Sequence, residues 1–495
     1  MPEKPSCSEQ NVPGGPSQGL AAAPALLAAY GVLCLTVFCV LLLAARWEWS
    51  LFMDDVSHIS WMPRSTDLLG DFRRECETYW QQGRFYPVKF LACLLKYHFL
   101  PADPLAFRIF NFGVLAAAAA LGAAAIRQHN RHVAAGVSLL FLLGLALSQR
   151  ALPIVVLQSS LGEGWVILFF AAGLACRLRR PVLSRLFFLL CALSKEPAVT
   201  VFLASAVCEW WAARQAPAER VRRRVACVFD VAAFALLLAI VLWAKSSGTY
   251  LESYSLFTVS SAAAAGVAMA KCSIILLPPL AVLAVLWRQS GAGEVRRALR
   301  QWLASDLVRL CLLFGLAYMY LAAARAPVSY LLIPPAFCMM LVSGYGILEM
   351  APVLERGRIA LWTLLAGLCV CLGLSLYYFQ IHAASLNESM GALQTLFCTP
   401  SPRLVLFRHE EAFAQAQLAA DAAHAPVTAR QLSLQDLDAV AAFRGDVVLF
   451  DAATACGPCA PQDVEALRQK LGGWTRVVDR GVYRLYYAEH RLGKR

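Results

Sequence analysis

The chain has 495 residues, of which 59% are hydrophobic and 15% are charged, and its formal net charge is +12. Soluble domains carry about 25% charged residues, so this composition excludes a wholly soluble protein and predicts an integral membrane protein. The positive charge does not indicate nucleic-acid binding, because the basic residues lie in short clusters between apolar runs.

Residues 1–19 are polar and rich in Pro, Gly and Ser, and a long apolar run follows them directly. We predict a disordered cytoplasmic tail followed by a first membrane helix rather than a cleavable signal peptide.

A bilayer needs about 20 apolar residues per helix. About eleven apolar runs predict an all-α polytopic membrane domain over residues 20–381, and the shorter ones among them require tilt or burial inside the bundle: 20–45, 105–126, 133–147, 165–176, 183–193, 198–211, 225–243, 262–287, 307–323, 330–348 and 359–381.

The charges of the loops predict the orientation of these helices. Loops on one side hold clusters of arginine, whereas the four short loops on the other side hold one basic residue each: Arg150, Lys195, Lys245 and Arg325. The positive-inside rule places the clusters in the cytoplasm. The N-terminus is then cytoplasmic, and residues 382–495 lie on the outer face. Residues 183–211 have basic clusters at both ends, which predicts two short helices that turn at residues 194–197.

The first outer loop, residues 46–103, is unusually long. Between residues 68 and 80 its apolar side chains recur at helical spacing, which predicts an amphipathic helix in the membrane interface. Residues 85–100 are apolar but contain Pro87, Lys89 and Lys96. We predict that this segment lies on the membrane or re-enters it.

Two adjacent carboxylates, Asp54 and Asp55, follow the first helix. At a membrane surface they repel each other, so one of them can hold a raised pKa and act as a general base, or the pair can help to bind a divalent metal ion. The alternative is a solvated helix end.

Charged residues near membrane depth are costly, and they are usually functional or paired. Lys195 and Glu196 either close their turn with an ion pair or contact a substrate. Arg150, Lys245 and Arg325 are either interfacial anchors or partners of a phosphate, and their position on one face favours a phosphate-bearing ligand. Glu163 is predicted to be an ordinary carboxylate at a helix start, with a ligand contact as the alternative.

The C-terminal residues 382–495 predict a small α/β domain, with strands at 403–407, 447–450 and 482–487. Cys456 and Cys459 stand in a Cys-Gly-Pro-Cys sequence with the spacing of a thioredoxin motif. Only about 36 residues follow Cys459, too few for the rest of a thioredoxin fold. A structural disulfide, with Cys398 as another candidate, is the preferred interpretation.

Several of these features together resemble the GT-C membrane glycosyltransferases, such as protein O-mannosyltransferases, lipid A aminoarabinose transferases and bacterial O-antigen glucosyltransferases. The resemblance covers residues 20–381. Its motifs are Asp54-Asp55 followed by Trp80-Gln81-Gln82-Gly83-Arg84, then Ser194-Lys195-Glu196, and then Arg325 to Pro334 with Tyr330. In the family's late motif the arginine stands next to the tyrosine, whereas here four residues separate Arg325 from Tyr330.

The resemblance implies a polyprenyl-phosphate-linked sugar as donor and a hydroxyl of a glycan, lipid or protein as acceptor. Asp54 or Asp55 would be the base in an inverting transfer. Lys195 and Arg325, with Arg84 and Arg150, would compensate the phosphate charge, and Glu196, Tyr330, Lys245 and Glu163 are further site candidates. The implied location is a bacterial-type inner membrane with a periplasmic active site. The alternatives are a transporter or flippase of lipid-linked glycans and a non-catalytic assembly factor.

Overall fold

The computed structural model describes residues 22–44, 67–100, 104–129, 134–148, 161–247, 274–323 and 332–354, parts of 263–270 and 365–373, and six short segments between residues 403 and 488. Its α-helices are α1 (Ala22–Ala44), α2 (Leu68–Gln81), α3 (Pro87–Phe99), α4 (Pro104–His129), α5 (Ala135–Ser148), α6 (Leu161–Cys176), α7 (Pro181–Ala192), α8 (Thr200–Gln215), α9 (Arg220–Ser247), α10 (Leu277–Ala304), α11 (Asp306–Ala323), α12 (Ile333–Leu354) and α13 (Pro461–Lys470).

The described helices include spans of membrane length. Ile109–His129, Pro217–Ser247 and Ile333–Met350 are each long and apolar enough to cross a bilayer, and the bent pair Gly291–Ala304 and Asp306–Ala322 would make a fourth. Shorter apolar helices accompany them, such as Ala135–Leu147. The chain is therefore predominantly α-helical with membrane-spanning capacity, whereas the number of eleven spans and their orientation stay predictions.

Close helix contacts depend on small residues. Gly31 of α1 lies against α5, where an added Cβ would stand 2.1 Å from the backbone oxygen of Leu140. A Cβ added at Gly144 of α5 would in turn stand 2.9 Å from the Cα of Gly31. Small side chains allow two helix backbones to pack at short range, the usual solution where lipid removes the hydrophobic drive between helices. The central helix is α12, which is almost wholly buried, whereas α9 is mostly exposed at the periphery.

Residues 183–211 form two short helices, as predicted. α7 ends at Ala192, a 3-10 turn covers Glu196–Val199, and α8 begins at Thr200. The turn is buried together with its Lys195 neighbour. This arrangement brings a charged turn into the interior of the helix bundle.

The segment from residue 288 to residue 304, predicted to be a cytoplasmic loop, is instead helical as the second half of α10. Val295, Ala298, Leu299 and Trp302 pack against the core at helical spacing, and the indole N–H of Trp302 donates to the Val342 carbonyl oxygen at 3.0 Å. The arginines lie between these apolar positions. An amphipathic pattern of period 3.6 therefore favours a helix over a loop there.

Ionic contacts join the predicted cytoplasmic ends of several helices. Asp230 of α9 is 0% exposed. It accepts hydrogen bonds from Arg185 Nε of α7 at 2.8 Å and from Ser205 Oγ of α8 at 2.7 Å. Glu209 of α8 lies 3.8 Å from Arg185. Buried charges require such partners, so these contacts fix α7, α8 and α9 against one another.

A second arginine extends this network to two more helices. Arg177, directly after α6, bonds Asp306 at the start of α11 at 2.7 Å and Ser205 at 2.9 Å. It also lies 3.2 Å from Glu209. We call the set Arg177, Arg185, Ser205, Glu209, Asp230 and Asp306 the inner ion network.

Near the C-terminus, five strands form a mixed sheet in the order β2-β1-β3-β5-β4. They are β1 (Arg403–Phe407), β2 (Val427–Gln431), β3 (Asp446–Ala452), β4 (Thr475–Arg480) and β5 (Tyr483–Ala488). β1 is parallel to β2 and β3, and β5 is antiparallel to β3 and β4. The three predicted strands are the central ones. The two edge strands were missed because they are more polar and lack a continuous apolar run. That residues 382–495 form a separate α/β domain stays a prediction.

Candidate functional site

The helices α2 and α3 of the long first loop form a hairpin. Asp67 caps α2 by accepting the Gly70 N–H at 2.9 Å, and Gly83 makes the turn with a φ of 77°, which favours glycine. The Arg84 N–H then donates to the Tyr79 carbonyl oxygen at 2.8 Å. Pro87 starts α3, a position where its missing N–H costs nothing.

Aromatic rings close the hairpin. The ring of Tyr79 lies 5.7 Å from that of Tyr86 and 4.4 Å from that of Phe90. All three side chains are buried. Such ring pairs stabilise a contact beyond what the burial of their apolar area contributes. They therefore hold α2 and α3 in one register.

The start of α3 docks on the end of α7. The Val88 N–H donates to the carbonyl oxygen of Leu193 at 3.1 Å, one of the terminal carbonyls that a helix leaves without an internal partner. α7 has 12 residues, so it rises about 18 Å within a hydrocarbon core of about 30 Å. With the predicted orientation, in which α7 begins at the cytoplasmic surface, α7 would end inside the bilayer. The contact favours a re-entrant position for the start of α3.

Lys195 forms an ion pair at this junction, with a partner outside its own turn rather than with Glu196, which was one of the two alternatives. Its Nζ lies 2.9 Å from Glu163 Oε1, at the first turn of α6. Glu163 is 0% exposed and Lys195 is 6% exposed. Glu163 is thus a helix-start carboxylate, as expected, and it is also the partner of Lys195. Its Oε2 accepts no hydrogen bond from the described residues.

Tyr86 lies at the centre of the cluster. Its ring has Lys89 Nζ at 5.2 Å and Lys195 Nζ at 5.5 Å from the centroid, both in range for a cation–π contact. The Tyr86 hydroxyl lies 3.5 Å from Arg84 Nη1. Lys89 is 6% exposed, and it has no ion pair or hydrogen bond with another described residue. We call Arg84, Tyr86, Lys89, Glu163 and Lys195 the outer cluster.

Within the outer cluster the positive charges outnumber the negative ones. Two ammonium groups and one guanidinium group surround one tyrosine, and Glu163 compensates one of the charges. Lys89 has no ion-pair partner in the described part of the chain, and a buried unpaired ammonium group is costly. An anion, above all a phosphate, would offset that cost.

Gly162 leaves room for the Lys89 side chain. A Cβ at this position would lie 3.1 Å from Lys89 Cδ, so Gly162→Ala is expected to push the lysine stem aside by a few tenths of an ångström. We expect anion binding to weaken about threefold while stability changes by less than about 1 kcal/mol. Titration of purified protein with a polyprenyl phosphate would measure this.

The matched control is Gly113→Ala in α4, where an added Cβ meets nothing within 4 Å. It should leave binding unchanged and increase helix stability slightly, as expected for Gly→Ala inside a helix. Equal binding by the two variants would contradict the close approach of Lys89 to Gly162.

An apolar groove of about 550 Å³ lies next to the cluster between α2 and α3. Its lining includes Phe72, Trp80 and Phe85, with Arg84 among the polar groups. Trp80 meets Phe85 edge-on at 5.6 Å and Trp243 of α9 at 5.3 Å. An apolar surface with a cation beside it suits an amphiphilic anion.

The structure describes only some of the other site residues that the sequence predicts. Lys245 stands two residues after Trp243 in the last turn of α9, near the hairpin. Glu196 is buried beside Lys195. The remaining candidates lie outside the described residues: Asp54, Asp55, Arg150, Arg325, Tyr330, Cys398, Cys456 and Cys459. Among the described residues, no three His, Cys, Asp or Glu side chains are grouped as they would be around a metal ion.

Sequence analysis missed Lys89 and Tyr86 as site residues. Lys89 was noted only as an interruption of an apolar segment, although an isolated lysine in such a segment is itself a signal. Tyr86 gave no signal, because a tyrosine before a helix-starting proline is an ordinary core or interface residue.

No protein-family model matches this chain, and no characterised protein or solved structure shows significant similarity to it.

Proposed function

We propose that the protein is a GT-C-like membrane glycosyltransferase that transfers a sugar from a polyprenyl-phosphate donor to a hydroxyl acceptor. The observation that supports this most is the outer cluster. Two buried ammonium groups share one tyrosine ring beside the hairpin of the first loop, and the predicted topology puts this point near membrane depth. A lipid phosphate must be bound at such a depth, since its chain stays in the bilayer.

The donor phosphate lies against Lys89 and Lys195, with Arg84 next to it. The first isoprene units occupy the groove between α2 and α3. Fixed positive charge at the place where the leaving group becomes negative stabilises the transition state. This assignment adds Lys89 to the residues that the family resemblance implies.

Transfer proceeds by one displacement at the anomeric carbon. The acceptor oxygen forms the new bond while its proton passes to the carboxylate of Asp54 or Asp55. The bond between the anomeric carbon and the phosphate oxygen breaks, and its electron pair leaves with the lipid phosphate. The configuration inverts. A divalent ion bound at the aspartates would supply further charge compensation, and no step above depends on it.

The proposed location is a bacterial-type inner membrane. Its N-terminus is cytoplasmic, and residues 382–495 lie on the outer side as an α/β unit near the acceptor. Membrane lipid is a further partner. Acceptors of this class are glycans, lipids or proteins of the cell envelope.

The test is sugar transfer by purified protein in detergent from a panel of polyprenyl-phosphate sugars. We expect Asp54→Asn or Asp55→Asn to lower the turnover rate by about 10²–10⁴-fold, as for the loss of a general base, with donor binding retained. The control is Glu219→Gln, an exposed carboxylate in the turn before α9, which should retain full activity.

Other results would reject the proposal. Donor binding without turnover in the wild type, for every acceptor tried, would favour a flippase. Activity retained in both aspartate variants would exclude them as the base. Absence of donor binding would remove the lipid-phosphate site altogether.

A further inference from the structure

Two neighbouring tryptophans at the end of α8 are each covered by an arginine. The guanidinium carbon of Arg214 lies 3.8 Å from the ring centroid of Trp210, and that of Arg309, from α11, lies 5.8 Å from the ring centroid of Trp211. Both distances are in the range of cation–π contacts. The two tryptophans are 45% and 48% exposed. These contacts therefore hold two guanidinium groups on an open surface.

The spacing on α8 joins these residues into one patch. Trp210 and Trp211 stand at i, i+4 and i, i+3 spacing to Arg214, so both rings are its neighbours on the helix surface. Arg309 reaches the same place because α8 packs against α11. Its Nη2 donates to the Ala304 carbonyl oxygen, which holds the guanidinium in position. We call Trp210, Trp211, Arg214 and Arg309 the Trp–Arg patch.

The carboxylates closest to the patch along the chain already have partners. Glu209 and Asp306 belong to the inner ion network, and they lie 3.2 Å and 2.7 Å from nitrogen atoms of Arg177. Neither Arg214 nor Arg309 forms an ion pair within 4.0 Å with a described residue. In the described part of the chain, two guanidinium groups thus have no anionic partner. Their planar N–H donors match the oxygen atoms of a phosphate.

An exposed apolar stripe runs along α8 to the patch. Leu203, Val207 and Trp210 recur at helical spacing and are exposed, and Arg214 stands one turn beyond them. α8 packs against α9, whose apolar window is of membrane length and only 17% buried. The stripe therefore faces lipid beside a peripheral spanning helix, with the guanidinium groups at its end. Tryptophans at such a position are typical of the membrane–water interface.

We propose that the Trp–Arg patch binds the headgroup of an anionic phospholipid, whose acyl chains lie along the apolar stripe of α8. Arginines bind phosphate oxygens through charge-assisted hydrogen bonds, and arginines next to membrane helices attract anionic lipids. The negative headgroup compensates the two guanidinium charges, and the stripe accommodates the chains.

The Trp–Arg patch is separate from the outer cluster. α8 has 16 residues, so it rises about 24 Å between the turn next to Lys195 and the patch. Lipid binding at the patch therefore does not depend on the proposed glycosyl transfer. A polyprenyl-phosphate donor at the outer cluster would not compete for it.

The test is the stabilisation of the purified protein by lipid in a neutral detergent. The unfolding midpoint is measured while phosphatidylglycerol is added, with zwitterionic phosphatidylcholine as the reference. We expect phosphatidylglycerol to raise the wild-type midpoint well beyond the effect of phosphatidylcholine. Arg214→Gln and Arg309→Gln should each raise the lipid concentration for half-maximal stabilisation about tenfold, the size of one lost hydrogen bond to a charged group.

The matched control is Arg222→Gln. Arg222 is an exposed arginine near the start of α9, and it pairs with Glu219, so the same change of charge should leave the lipid titration unchanged. An equal loss of lipid affinity in Arg222→Gln would show that a diffuse positive field attracts the lipid, and it would overturn the site.

Three other results would also overturn the inference. Equal stabilisation by the two lipids would reject recognition of an anionic headgroup. Equal stabilisation by inorganic phosphate would mean that the patch takes a free anion instead of a lipid. A wild-type titration in Arg214→Gln would exclude the patch, and this variant decides alone if Arg309→Gln fails to fold after losing its bond to Ala304.

Discussion

Replacing Lys195 with methionine is expected to lower the free energy of unfolding by about 3–5 kcal/mol, because a buried ion pair loses one partner. Glu163 is 0% exposed, and its Oε1 lies 2.9 Å from Lys195 Nζ. Without the lysine its carboxylate keeps no ion-pair partner among the described residues. Donor binding should be lost in the same variant, because one of the two ammonium groups around Tyr86 is gone.

A double-mutant cycle separates these two effects. Glu163→Gln together with Lys195→Met removes both charges, and replacement of a whole buried pair is often close to neutral for stability. We expect the double variant to unfold at nearly the wild-type temperature but to bind no donor. Unfolding midpoints in detergent and titration with a polyprenyl-phosphate sugar give the two readings. A stable double variant with wild-type binding would mean that Lys195 is only structural.

Replacing Asp230 with alanine is expected to cost about 3 kcal/mol of stability, the lower end of the range for breaking a buried ion pair. The variant leaves Arg185 and Ser205 without their shared acceptor. Glu209, 3.8 Å from Arg185, compensates part of the loss. The measurement is the unfolding midpoint of purified protein in detergent.

The control for the inner ion network is Glu219→Ala. Glu219 is an exposed carboxylate that pairs with Arg222 and Arg223 on its own helical segment, and exposed pairs of this kind contribute little. Its removal should leave the unfolding midpoint nearly unchanged. Equal midpoints for the Asp230 and Glu219 variants would show that the inner ion network does not hold α7, α8 and α9 together.

The sequence by itself determined that the chain is a helical membrane protein. With 59% hydrophobic and only 15% charged residues, the chain cannot form a water-soluble surface. It also located the amphipathic helix of the first loop, the paired short helices around Lys195 and the three central strands. Each of these depends on a local period or on a local charge cluster. Such signals are contained within a window of about ten to twenty residues.

Only the tertiary structure decided which charged groups meet. Lys195 pairs with Glu163, which stands 32 positions earlier in the chain (195 − 163), rather than with its neighbour Glu196. Lys89 and Tyr86 reach the same point because the α2–α3 hairpin docks on the end of α7. Spacing along the sequence cannot predict such contacts, since they depend on how helices from distant segments pack.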